Sequence, residues 1–180
     1  MSLGDRRMKN LVWLTALALS AGAVEPAAGQ TVKEIDARQK AVVEAWEKTP
    51  LTMRRAIFVQ QKAPMFGAYR ERKSNVFKAD EQIITYAEPV GYSWKPVEDG
   101  FRFGVNIDFL VKSTDGKVLG GQENFLKFDQ INHAQVQELN LNMALTLTGI
   151  SPGTYVVIYT VHDVNNDQVA SFSQNFEIAK

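Results

Sequence analysis

Three oxygen-bearing side chains near the C-terminus have the spacing at which a calcium loop presents its first ligands. They are Asp163, Asn165 and Asp167. A complete loop also needs a glycine at its sixth position and a glutamate at its twelfth, whereas this sequence has Gln168 and Gln174 there. Because Asn and Asp are also common turn residues, the sequence predicts a turn at this place, with no metal and no cofactor.

The chain has two histidines, His133 and His162, and no cysteine. A zinc site would therefore have to recruit carboxylates. A nucleophilic triad would need a serine close to one histidine. Ser171 and Ser173 are candidates only by elimination, and the sequence has no Gly-x-Ser-x-Gly element. We therefore predict that the protein has no catalytic residues and is not an enzyme, and we keep a weakly marked hydrolase as an alternative.

A set of aromatic and basic side chains lies in and around the loops that precede the clearest predicted strand. Exposed Tyr and Trp beside polar groups are typical of recognition surfaces. The candidate ligand-binding residues are Tyr69, Tyr86, Tyr92, Trp94, Arg70 and Arg72. A carbohydrate- or ligand-binding module that uses Tyr92 and Trp94 is one interpretation. The other is that the aromatic rings pack in the core and loops while the basic side chains are solvated.

The elements that must position these side chains are β-strands. Alternation of apolar and polar residues over 101–111 predicts the clearest strand, and the final hairpin has the same period. Asp115-Gly116 predicts a type I′ turn. Pro152-Gly153 before Tyr155 predicts a corner in which the tyrosine hydroxyl bonds the preceding connection. Seven strands are predicted, at 51–59, 77–88, 101–111, 118–125, 136–147, 155–162 and 169–178.

Seven short alternating strands in a chain of this length favour an antiparallel two-sheet sandwich, with a closed barrel as the alternative. The β-domain is predicted to span residues 51–180. The side chains on the apolar strand faces that are predicted to be buried are Phe103, Ile107, Phe109, Leu141, Leu145, Val157, Tyr159 and Phe172.

One helix is predicted before the strands, over 32–48 within a segment that spans residues 30–50. Thr31 can cap it, with Glu34 as the partner in a capping box, and Thr49-Pro50 ends it. Its apolar side chains recur at three- and four-residue steps. Such a stripe could dock a partner protein, but packing of the stripe on the sandwich is the interpretation that we favour.

The N-terminal 29 residues are predicted to be a signal peptide, because a basic start is followed by an apolar run and then by small residues. Cleavage after Ala23 or Gly29 fits, and Met1 or Met8 could be the start. The predicted destination is periplasmic or secreted, with no transmembrane segment in the mature chain. The formal net charge is zero, which argues against nucleic acid as a partner.

The C-terminal part of the chain resembles secreted or periplasmic bacterial immunoglobulin-like domains over about residues 101–180. The residues that carry the resemblance are Ser151-Pro152-Gly153-x-Tyr155, Tyr159-Thr160-Val161-x-Asp163 and Ala170-x-Phe172. It implies a mainly β, immunoglobulin-like antiparallel two-sheet sandwich preceded by one N-terminal helix. It also implies an exported, non-enzymatic protein with a binding or structural role in the bacterial envelope, where its partner would be a protein or a glycan.

Overall fold

The structure, a computed structural model, describes residues 31–180. The predicted signal peptide, residues 1–29, lies outside the described residues. Its cleavage and the periplasmic or secreted destination therefore stay predictions. Within the described range, no helix combines the length and the apolar content that a membrane span requires.

The described chain is mainly β, with one helix and nine strands. The elements are α1 Val32–Glu47, β1 Thr52–Phe58, β2 Val76–Phe77, β3 Ile83–Val90, β4 Lys95–Val97, β5 Gly100–Ser113, β6 Val118–Asn132, β7 Leu141–Leu145, β8 Gly153–Asp163 and β9 Val169–Ile178. The prediction of a mainly β fold after one helix is confirmed. The strand predicted at 77–88 is divided into β2 and β3 by a turn, in which Asp80 has a φ of 59°.

The strands form two sheets. The first sheet has the order β1-β3-β7 and is antiparallel. In the second sheet the order is β2-β9-β8-β5, and β4 and β6 also pair with β5. Because β6 and β8 pair with the same residues of β5, they lie on its opposite edges, and β6 is an edge strand. The second sheet is not wholly antiparallel as predicted, since β2 runs parallel to β9.

The two sheets share one hydrophobic core. Six of the eight side chains predicted to be buried are buried, including Ile107 and Val157, which are wholly inaccessible. Phe109 and Phe172 are only half-buried and lie against the margin of the core. The prediction was wrong for these two rings because alternation gives the face of a strand but not the extent of the sheet that covers it. Among the described strands, β9 has only β8 as a neighbour at Phe172.

The strands of the second sheet are much longer than those of the first. β5 and β6 have 14 and 15 residues, whereas β7 has 5. At about 3.3 Å per residue, β5 extends roughly 46 Å and β7 roughly 17 Å. Parts of β5 and β6 therefore extend beyond the strands that face them.

Two turns define the ends of these strands. The Tyr155 hydroxyl donates a hydrogen bond of 2.7 Å to the Ser151 carbonyl, so the predicted corner is confirmed. The β5–β6 turn is not the predicted type I′, because only Gly116 has a positive φ, at 89°. The Gly116 amide bonds the Ser113 carbonyl, and the Ser113 amide bonds the Lys117 carbonyl. This is a type I turn followed by a glycine in the left-handed region, another common hairpin connection.

Helix α1 begins with the predicted capping box between Thr31 and Glu34. Its apolar stripe does not pack on the sheets as predicted. Val32 and Ile35 are 73% and 53% exposed, and Trp46 is the only buried residue of the helix. The helix is thus anchored through its last turn, because the two sheets already bury each other's apolar faces.

Candidate functional site

The aromatic residues predicted to bind a ligand have partners inside the fold. Tyr92 is fully buried, and its hydroxyl donates to the Val136 carbonyl at 2.8 Å. The Trp94 indole donates to the same carbonyl at 2.9 Å, and the Trp46 indole donates to the Tyr92 carbonyl at 2.8 Å. Burial raises the pKa of Tyr92 well above its ordinary range. We call Trp46, Tyr92 and Trp94 the aromatic anchor, because they join α1, the loop before β4 and the segment after β6.

Tyr69 and Tyr86 belong to a second cluster, at a different place from the aromatic anchor. Tyr86 is fully buried, and its ring lies 4.6 Å from that of Tyr69. Its hydroxyl donates to Glu88 and accepts from the Gly67 amide, both at 2.8 Å. Burial raises the pKa of Tyr86 to about 12. This cluster holds the loop after β1 on the first sheet. Because Tyr86 and Tyr92 are both buried, neither ring can stack on a ligand from solvent.

The two candidate arginines differ in their surroundings. Arg72 pairs with Glu81 at 2.7 Å, donates to the Val76 carbonyl at 2.7 Å and lies 4.2 Å over the ring of Phe77. These contacts give it a structural role. Arg70 is exposed, and its backbone carbonyl accepts a hydrogen bond from the Gln60 amide. The six candidate residues are therefore not assembled into one site.

The turn with calcium-like spacing is held by its own hydrogen bonds. The Asp163 carboxylate accepts from the Ser93 amide at 2.6 Å, the Ser93 hydroxyl at 2.7 Å and the Asn165 amide at 2.8 Å. Asp163 thereby fastens the loop before β4 to the β8–β9 turn. In the part of the chain that the structure describes, no group of three or more His, Asp or Glu side chains could hold a metal ion.

His162 forms a pair with a carboxylate on the second sheet. Its Nε2 lies 2.8 Å from Asp108 Oδ2, while the Asn124 amide donates to Asp108 Oδ1 at 2.7 Å. Partial desolvation would raise the pKa of Asp108, but the Asn124 amide and His162 outweigh it, so that this pKa is lowered. The Ser171 hydroxyl bonds Thr160 rather than His162, at 3.4 Å. His133 is exposed in the segment after β6.

A cavity among the described residues lies elsewhere, between β5, the start of β6 and the loop that follows β7. We call it the overhang cleft. Its volume is about 610 Å³. The inner face of β5 forms its floor, the start of β6 forms one wall, and the β7–β8 loop, residues 146–151, forms the other. The residues that line it are Phe109, Val111, Ser113, Lys117, Leu119, Gly120, Gly121, Thr146, Leu147, Thr148, Gly149, Ile150, Ser151 and Tyr155.

Glycines and a hydrogen bond shape the walls of the overhang cleft. A Cβ atom on Gly121 would lie 2.6 Å from the Phe109 carbonyl oxygen, so glycine permits the close approach of the two strands. A Cβ atom on Gly120 would meet nothing within 4 Å. The opposite wall turns at Gly149, where φ is 73°, and is held by the Tyr155–Ser151 hydrogen bond.

The lining of the overhang cleft combines apolar side chains with accessible hydroxyl groups. Leu119 is 45% exposed, and Phe109 and Ile150 are half-buried. The side chains of Thr146, Thr148 and Ser151 are exposed, so their hydroxyls are accessible to a ligand. Sequence reasoning missed this site, although the pair Gly120-Gly121 inside a strand was a signal, since such glycines mark bulges or the close approach of a ligand or backbone.

Comparisons with known protein families and with curated proteins found no match. Among solved structures, the chain is similar to the Pseudomonas fluorescens alkylpurine DNA glycosylase AlkC bound to DNA containing an abasic site analog, at 13% identity and a TM-score of 0.41. The likeness covers 73% of this chain, which spans only 31% of that one. A likeness this distant carries no argument about the function of this chain.

Several predictions made from the sequence find no support in any of these comparisons. The neighbour is an enzyme bound to DNA, where an immunoglobulin-like protein of the envelope was predicted. The resemblance to secreted immunoglobulin-like domains, the assignment of a non-enzymatic envelope protein and the exclusion of nucleic acid as a partner are therefore withdrawn.

Proposed function

We propose that the protein binds a small, largely apolar molecule in the overhang cleft. The observation that carries the proposal is the cleft itself, a concave space of about 610 Å³ beside the core residues Val111 and Tyr155. Ligand sites in proteins are typically concave, mostly apolar and roughly 300–1,000 Å³ in volume. The cleft has each of these properties.

The chemistry of the lining indicates the kind of molecule. Phe109, Leu119 and Ile150 offer an apolar surface, and removal of that surface from water would favour binding. Thr146 and Thr148 add hydroxyl groups at the β7–β8 loop that can donate or accept hydrogen bonds. A ligand that is apolar along its length and carries a hydrogen-bonding group at one end would satisfy both parts of the lining.

The rigidity of the cleft walls supports the same proposal. The floor belongs to a long strand in the middle of a sheet, and the loop wall is fixed by the Tyr155–Ser151 hydrogen bond of 2.7 Å. A site that is already formed before binding loses less conformational entropy when the ligand arrives. The lining is therefore suited to bind without a large rearrangement.

The experiment uses 1-anilinonaphthalene-8-sulfonate, a fluorescent probe with an apolar body and a polar end. We expect saturable binding at one site of the folded protein. Ile150→Glu places a carboxylate in the apolar lining and should weaken binding at least about tenfold, because burial of an unpaired charge is costly. Val169→Glu is the matched control, since Val169 is 52% exposed and does not line the cleft. Equal binding by the two variants would contradict the proposal.

We also infer that the two sheets close as a sandwich. Support comes from the core shared by both sheets and from the tyrosine corner at Tyr155. Small-angle X-ray scattering of the chain without residues 1–29 would test this inference. A scattering curve that fits a closed barrel better than the two-sheet arrangement would contradict it.

A further inference from the structure

The lining of the overhang cleft carries one charge, and that charge is positive. Among the described residues that line the cleft, Lys117 is the only Lys or Arg, and none is Asp or Glu. The side chain of Lys117 is exposed, and within residues 31–180 it takes part in no ion pair. The lining therefore favours a ligand that carries negative charge over one that carries positive charge.

The carboxylate closest to Lys117 along the chain is that of Asp115, and it already has partners within the hairpin. Its Oδ1 accepts hydrogen bonds from the Ser113 hydroxyl and, at 3.4 Å, from the Lys117 backbone amide. Asp115 does not line the cleft. The Lys117 ammonium group is therefore available to an anion that enters the cleft.

Lys117 and Ser151 lie at the same end of the cleft. The Ser113 amide donates to the Lys117 carbonyl at 3.0 Å, and Ser113 pairs with Tyr155 across β5 and β8. The Tyr155 hydroxyl in turn donates to the Ser151 carbonyl at 2.7 Å. This end of the cleft thus combines an ammonium group with the exposed hydroxyl of Ser151, and both can donate hydrogen bonds to an anion.

The apolar part of the lining extends away from that end. Phe109 and Ser113 are separated along β5 by roughly 13 Å, at about 3.3 Å per residue. Val111, Leu119 and Ile150 also line the cleft. An alkyl chain of medium length could lie along this surface, and its removal from water would favour binding.

From this arrangement we propose that the ligand of the overhang cleft is an anionic amphiphile of the fatty acid type. Its carboxylate lies at Lys117 and Ser151, and its alkyl chain extends toward Phe109. This inference rests on the proposed function, because it names the class of molecule that the same cleft binds. Since Lys117 is exposed, its ion pair with the ligand stays partly solvated and adds selectivity more than affinity.

Amide chemical-shift titrations with octanoate and with 1-octanol test the inference, because the two probes share an alkyl chain and differ in charge. We expect octanoate to bind the parent about threefold to fivefold more tightly than 1-octanol at low ionic strength. In about 0.5 M salt this preference should disappear, because exposed ion pairs are screened. Lys117→Met should lower the affinity for octanoate to that for 1-octanol and leave 1-octanol binding unchanged.

The matched control is Lys112→Met, which removes the same charge from β5 at a residue that does not line the cleft. It should keep the preference for octanoate, and circular dichroism confirms that each variant is folded. Equal binding of octanoate and 1-octanol by the parent would overturn the inference, and so would a preference that Lys117→Met retains. In either case, binding of 1-octanol in the cleft would still support the proposed function. If neither probe bound the parent, both proposals would be wrong.

Discussion

The aromatic anchor and the overhang cleft show what separates a structural cluster from a candidate binding site. In the anchor, the Trp94 indole and the Tyr92 hydroxyl both donate to the Val136 carbonyl, so these polar groups are already satisfied. In the cleft, Thr146 and Thr148 are exposed, and their hydroxyls are accessible to a ligand. Aromatic residues beside polar groups suggested a site at the anchor, whereas accessible polar groups beside exposed apolar side chains distinguish the cleft.

The largest effect should follow from removing the centre of the anchor. Trp46→Ala should lower the free energy of unfolding by about 3–5 kcal/mol, because the ring is buried against Tyr92 and Trp94. Val32→Ala, in the same helix but 73% exposed, should change it by less than about 0.5 kcal/mol. Urea titration followed by circular dichroism measures both. Similar stabilities for the two variants would mean that the anchor does not hold the helix.

The two glycines of the cleft wall should respond differently to the same substitution. Gly121→Ala should destabilise the protein by about 1–3 kcal/mol, because the new methyl group would lie 2.6 Å from the Phe109 carbonyl oxygen. Gly120→Ala should be tolerated within about 0.5 kcal/mol, since its methyl group meets nothing within 4 Å. Thermal unfolding of the pair, side by side, checks this difference. If Gly120→Ala were less stable than Gly121→Ala, the assignment of the glycine that contacts β5 would be wrong by one residue.

Much of the fold could be predicted because alternation and capping are local signals. Ile107 and Val157 are buried where alternation placed them, and Thr31 caps the helix as its spacing with Glu34 indicated. Phe109 is on the same face of β5 as Ile107, yet it is half-buried and lies against the margin of the core, next to a shift in the β5–β6 register. Burial of that ring depends on how strands that are distant in sequence pair and pack around it.

The candidate site could not be predicted for the same reason. Its floor, first wall and second wall come from Phe109, Leu119 and Ile150, which lie on separate parts of the chain. No sequence pattern shows that these three side chains meet. Residue types near Tyr92 suggested a surface, but the type of a residue does not reveal whether a carbonyl such as that of Val136 already accepts its hydrogen bond.

The smallest expected effect is the contribution of Asp108, a residue near the cleft, to the pH dependence of stability. The pKa of Asp108 is lowered in the folded state, so this carboxylate stabilises the fold above its unfolded pKa of about 4. That contribution is lost as the pH falls through the lowered value. Asp108→Asn should therefore be less stable than the parent at pH 6, and the difference should shrink below about pH 4. Urea midpoints across this range check it, and a difference that grows on acidification would contradict the pairing with His162.

The most direct test of ligand binding in the overhang cleft is amide chemical-shift mapping of the isotope-labelled protein during titration with 1-anilinonaphthalene-8-sulfonate. We predict that the shifted amides cluster at residues 109–121 and 146–155, around the cleft lining. The chemical shifts of amides around Tyr92 and Trp94 should not change, because the polar groups of the aromatic anchor already form hydrogen bonds within the protein. Shifts centred on the anchor, with the cleft amides unmoved, would contradict the proposed site.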